Sequence, residues 1–154
     1  MAAAGCGYSF SGSNLPSHIK TVAIPNFENS TLEPRVAEEA TTAVIDGFVK
    51  DGRLKLAPEG QADSRLAGVV TSYENRVHNY AADQTPQDYV VVLTMSLGLR
   101  DQVKNRELWA DAALTRTAVW VPGATAGPAS EEEARLEALR LAATEIVTRT
   151  LEQW

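Results

Sequence analysis

Few residues in this chain have types and spacings that could do chemistry. Cys6 is the single cysteine and follows Ala3-Ala4-Gly5. Small residues before a cysteine suit a signal peptidase, and the thiol can receive diacylglycerol before cleavage makes it the new N-terminus. Only five residues precede it, without a charged n-region or apolar h-region, so residues 1–14 are read as a signal-peptide remnant and lipidated tether. His18 and His78 stand sixty positions apart, one at a strand start and one at a hairpin shoulder. A metal site wants several converging donors, so neither histidine is expected to bind one. Lys104 and Arg106 lie in or beside one hairpin, and Arg76 approaches another. Side chains on such loop tips can meet phosphates, arginine through a two-pronged donor geometry.

The familiar catalytic patterns are missing. There is no GxSxG elbow, no phosphate-cradling glycine loop and no dinucleotide fingerprint. The paired carboxylates Glu38 and Glu39 fall on what periodicity makes a solvent face of a helix. The chain is therefore expected to be no enzyme and to need no cofactor or metal.

The 154 residues form one domain with enough chain for a sizeable core. No apolar run approaches the roughly 18 residues of a spanning helix. A net charge of −6 argues against a nucleic-acid partner. Residues 53–116 carry eight basic and eight acidic side chains, so the acidic excess lies in the flanks. A site for an anionic ligand belongs in that neutral middle.

These residues need elements to position them. Residues 19–24, between Pro16 and Pro25, are rich in β-branched types and read as a central strand covered on both faces. Asn26, Asn29, Ser30 and Thr31 then bend the chain. A helix is predicted over residues 34–50, where Val36, Ala40, Val44 and Phe48 make a stripe and Glu38, Glu39 and Asp46 face away. Asp51-Gly52 stops it. Residues 53–57 read as a short strand. Residues 64–77 follow, with Leu66, Gly68 and Val70 on one face and Val69, Thr71 and Tyr73 on the other. Residues 89–100 and 107–121 complete antiparallel hairpins. Ser130 and Glu133 form a capping box for a second helix, whose buried face is read as Leu136, Leu139, Ala143, Ile146, Thr150 and Trp154. The expected fold is α+β: a mixed, mainly antiparallel sheet of four to five strands with two helices on one face.

Several stretches together carry a resemblance. They are Cys6-Gly7-Tyr8-Ser9-Phe10, Leu15-Pro16, residues 19–29 (IKTVAIPNFEN), Asp51-Gly52-Arg53-Leu54, Ala62-Asp63, Leu66-Ala67-Gly68, Tyr73, the Tyr89 strand and Leu108-Trp109. From Cys6 through the second helix the chain resembles the lipopolysaccharide-assembly lipoprotein family, LptE. The resemblance implies an outer-membrane lipoprotein on the periplasmic face, anchored through Cys6, with residues 15–154 as its single domain. It implies a large outer-membrane β-barrel partner, LptD, in whose lumen the domain sits as a plug while lipopolysaccharide is delivered to the outer leaflet. Lys104, Arg106 and, less centrally, Arg76 are the expected lipopolysaccharide-phosphate contacts, from charge and loop placement alone. The opening strand is also similar to that of periplasmic lipoproteins of the curli-secretion and peptidoglycan-synthase-activator type. That alternative keeps the anchor and changes the partner; a periplasmic hydrolase is a more remote third.

Overall fold

The computed structural model describes residues 15–152. Cys6, the rest of the tether and Trp154 lie outside them. The order is β1 (Thr21–Ala23), β2 (Glu28–Asn29), α1 (Val36–Asp51), β3 (Lys55–Leu56), β4 (Ser64–Tyr80), β5 (Pro86–Asp101), β6 (Arg106–Trp120) and α2 (Glu131–Glu152). The sheet runs β3-β1-β4-β5-β6, with β2 pairing off this path to β4. β1 is parallel to both β3 and β4, and β2 is parallel to β4. The three long strands are antiparallel. The α+β expectation of a mixed sheet under two helices holds, with β2 as an addition.

β1 is central, as its unbroken apolar run predicted: Val22 and Ala23, pointing to opposite faces, are both buried. α1 ends where Gly52 takes a φ of 79° and donates its N–H to the Phe48 carbonyl at 2.9 Å. Its buried side carries Val36, Ala40, Val44 and Phe48, with Thr41 among them. The Thr41 hydroxyl donates to the Ala37 carbonyl and accepts the Phe27 N–H, tying the chain after β1 to the helix. At Gly47, an added Cβ would come within 3.2 Å of Val147 on α2, so the missing side chain sets how closely the helices approach. The α2 capping box forms: the Glu133 N–H donates to Ser130 Oγ at 3.2 Å, while its carboxylate reaches back to the Ala129 N–H at 2.7 Å.

Three face assignments change. A bulge between Val70 and Ser72 shifts the alternation of β4, so Tyr73 shares the helix-covered face with Leu66 and Val70. On α2, Leu136 is exposed, and Ala138 and Ala142 take its place in the interface beside Leu139, Ala143 and Ile146. Glu39 does not face away either. It receives the buried Arg135 guanidinium at 2.7 Å across the helix pair. Glu39 draws the Arg135 pKa upward more strongly than burial lowers it.

Candidate functional site

The turn between β5 and β6 is built on one buried carboxylate. Asp101 is wholly shielded from solvent. One of its oxygens accepts the Val103 and Lys104 N–H groups, at 3.0 and 2.9 Å. The other lies 2.8 Å from His18 Nε2 and 3.8 Å from Arg106 Nε. Burial pushes the Asp101 pKa up, but the Lys104 N–H, the His18 ring and the Val103 N–H outweigh it and hold the group below the usual carboxylate range. Asn105 closes the turn at a φ of 51° and receives Arg100 Nη2 at 2.6 Å.

A second carboxylate fixes the chain that enters here. Asp63 Oδ2 accepts the Lys20 N–H, the Thr21 N–H and the Thr21 hydroxyl at 2.9–3.0 Å. The Lys20 N–H, then the Thr21 hydroxyl, pull its pKa down. Because Asp63 precedes Ser64, which pairs with Asp101 across the sheet, the lead-in to β1 lies beside the β5–β6 turn. Lys104 and Arg106 stand exposed on that turn. The lead-in to β1 and two of the three predicted phosphate contacts thus share one end of the sheet.

Arg76 does not join them. It pairs with Val90 toward the β4–β5 hairpin, twelve residues along β4 from Ser64. At about 3.3 Å per residue that separates it from the β5–β6 turn by roughly 40 Å. Its nearest ionic partner is Glu74, at 3.8 Å. His78 also belongs to this end, with Nδ1 3.0 Å from Asp88. Among the described residues no group of three or more His, Cys, Asp or Glu side chains could hold a metal.

The far end is held differently. The Tyr73 hydroxyl donates to Glu131 at 2.8 Å, and Asn75 donates to the same carboxylate at 2.8 Å. Trp120 Nε1 donates to Asn75 Oδ1 at 3.0 Å, and its ring stacks on Tyr89 with centroids 4.4 Å apart. Burial, reinforced by Glu131, pushes the Tyr73 pKa up to about 12. Neither this network nor the His18–Asp101 contact has a local sequence signal; the hydrogen-bonded partners are 45 to 83 residues apart.

The lipopolysaccharide-assembly family model LptE matches residues 19–150, spanning every element from β1 into α2. The chain belongs to the LptE family. No curated protein matches it in sequence. Among solved structures, this LptE-family chain is similar to the hypothetical protein CT253 from Chlamydia trachomatis (TM-score 0.61, 10% identity, 85% of this chain and 95% of that one). It is also similar to the PelC dodecamer from Paraburkholderia phytofirmans, with a TM-score of 0.58 at 16% identity over 94% of this chain and 96% of that one. The uncharacterized lipoprotein B from Nitrosomonas europaea gives a TM-score of 0.55 at 16% identity over 94% and 92%. At these identities the likeness establishes the shared fold. Among the described residues, no helix of the LptE-family chain is long and apolar enough to cross a membrane.

Proposed function

We propose that the chain is an outer-membrane lipoprotein, lipidated at Cys6, that partners an LptD-like β-barrel as its plug and helps place lipopolysaccharide in the outer leaflet. The observation that carries this reading is the family match across residues 19–150. The mechanism is one of positioning; no catalytic step is assigned to any residue. Residues 1–14 serve as the tether and residues 15–154 as the plug. Three acyl chains, at about 0.8 kcal/mol per buried methylene, would hold the chain on the periplasmic face. A domain filling a barrel lumen meets a polar wall, and the acidic helix faces and polar hairpins suit one.

Lipopolysaccharide phosphates would meet Lys104 and Arg106 first. These side chains sit on a turn braced by a buried carboxylate and beside the lead-in to β1. With a net charge of −6 on the whole chain, attraction to an anionic lipid has to be local. Arg76, at the opposite end, would make a separate and weaker contact.

Two measurements test this reading. Intact mass from membrane fractions should show a triacyl adduct that Cys6→Ala abolishes; an unmodified, soluble chain would remove the anchor. Lipopolysaccharide binding should fall about tenfold in Lys104→Glu/Arg106→Glu, a loss of two charge-assisted contacts, and much less in Arg76→Glu. Equal losses in both variants would count against the β5–β6 turn as the site.

A further inference from the structure

The two outer edges of the antiparallel unit differ. The β6 edge is blunted by the chain itself. A bulge interrupts its pairing between Met95 and Leu97, the Asp111 carboxylate accepts the Ala113 N–H at 2.9 Å, and Arg116 Nη1 donates to the Thr115 carbonyl at 2.6 Å. The β4 edge is covered at one end only. β1 pairs with Ser64 and Arg65, and β2 with Val69 and Val70, followed by a bond from the Ser30 N–H to the Val70 carbonyl. Past the bulge at Val70 and Ser72, residues 72–77 have no strand neighbour on this edge among the described residues, and the next irregularity comes only after Val77. The loop after β2 flanks residues 72–74 across a shallow cleft without pairing to them. A regular strand edge with no strand neighbour is a template for another strand.

We propose that this edge pairs with the same edge of a second copy, antiparallel about a two-fold axis at Asn75, joining the two sheets into one. Charge selects the occupant and the register. Glu74 and Arg76 lie on the face away from the helices, each more than half exposed, 3.8 Å from one another. Centring on Asn75 places Glu74 opposite the partner's Arg76 and Arg76 opposite the partner's Glu74. Sliding by one pair in either direction sets Glu74 against the partner's Glu74, or Arg76 against the partner's Arg76, and like charges directly opposite are unfavourable.

Apolar surface agrees with the same register. Pairing must stop where β2 occupies the edge, and the partner's strand then runs past Val77 toward the loop after β2, with Tyr80 at its end. Tyr80 is 61% exposed and Leu32, on that loop, fully exposed. The loop is already ordered: Asn29 Oδ1 accepts the Thr31 N–H and hydroxyl, and Asn29 Nδ2 donates to the Glu33 carbonyl at 2.7 Å. Leu32 is thus displayed on a braced turn, and covering it costs little ordering entropy. The two-fold gives each copy one such contact. The proposal concerns the chain outside any barrel and stands independently of the lipid-assembly reading.

Sedimentation of the full, unlipidated chain under reducing conditions tests it across a concentration series. The expected result is a reversible monomer–dimer equilibrium. Glu74→Arg and Arg76→Glu should each weaken self-association about tenfold or more, because each puts like charges opposite at two places. An equimolar mixture of the two variants should associate more tightly than either alone, since every facing pair is then of opposite sign. Leu32→Ser should weaken the dimer without disturbing that charge pattern. A wild-type chain that stays monomeric at all concentrations overturns the proposal. So do variants that self-associate like wild type, or a mixture no tighter than its components.

Discussion

The two ends of the sheet solve the same problem with different donors: backbone N–H groups aimed at a carboxylate at one, a phenol and an amide aimed at a carboxylate at the other. At the β5–β6 turn, Asp101 and Asp63 bind the hairpin and the lead-in to β1 through ionised carboxylates saturated with N–H donors. At the β4–β5 end, an un-ionised Tyr73, an amide and a stacked Trp120–Tyr89 pair bind the hairpins to the start of α2. A buried carboxylate depends on its charge and on every donor aimed at it. The aromatic end depends on contact area and on a phenol that keeps its proton. The first arrangement positions charged groups beside the lead-in to β1; the second holds the hairpins through a phenol and an amide that donate to the Glu131 carboxylate. The ends should therefore fail under different substitutions and at opposite extremes of pH.

The largest effect should come from Asp101→Ala. It removes the buried acceptor shared by two backbone N–H groups and the His18 ring, and should cost about 2–3 kcal/mol in urea unfolding. A cost below about 1 kcal/mol would mean that water replaces the carboxylate and that the turn is not braced by it. Trp120→Ala should come next, at about 2 kcal/mol, from lost burial, the Tyr89 stack and the bond to Asn75. Equal costs at both ends would blur the contrast drawn here.

The pH dependence separates the ends more sharply. The folded pKa of Asp101 lies below its unfolded value, so its contribution is present above that value and is lost as pH falls through the folded one. Acid unfolding below about pH 4 should therefore lose part of its steepness in Asp101→Ala. Tyr73 behaves in the reverse sense. With a folded pKa of about 12 against 10 in the open chain, it keeps its proton where the unfolded chain loses one. Stability should fall as pH rises from about 10 to 12, and Tyr73→Phe should flatten that fall while leaving the acid limb alone. The smallest effect on folding belongs to Lys104→Glu/Arg106→Glu. Both side chains are exposed, so stability should stay within about 0.5 kcal/mol while lipid binding changes.

Much of this architecture was legible in the residues. The alternation of Tyr89, Val91, Leu93, Met95, Leu97 and Leu99 marked β5, Gly52 marked the end of α1, and the Ser130–Glu133 box marked the start of α2. Those signals are local, and local geometry obeyed them. What escaped needed information from elsewhere in the chain. β2 is two residues long, too short for alternation, and exists because β4 offers it an edge. Strict alternation puts Tyr73 on the face opposite Leu66, and a single bulged residue upstream resets that parity in β4. Glu39 looked like a solvent residue until Arg135, ninety-six positions on, packed against it. The site was legible only in part. Lys104 and Arg106 stand together on the predicted hairpin, but nothing local in the sequence marks the buried Asp101 beneath them, whose His18 partner is 83 positions away. Arg76 is a strand length away from both.

The most direct test of the account is its assembly partner. The full-length chain with its natural upstream region, carrying a C-terminal affinity tag, would be extracted from membranes in mild detergent and its co-purifying proteins weighed intact. The account predicts an equimolar complex with a large outer-membrane β-barrel, lost from the membrane fraction in Cys6→Ala. Recovery instead with a secretion pore or a murein synthase, or from the soluble fraction without a barrel, would contradict the assignment to lipopolysaccharide assembly.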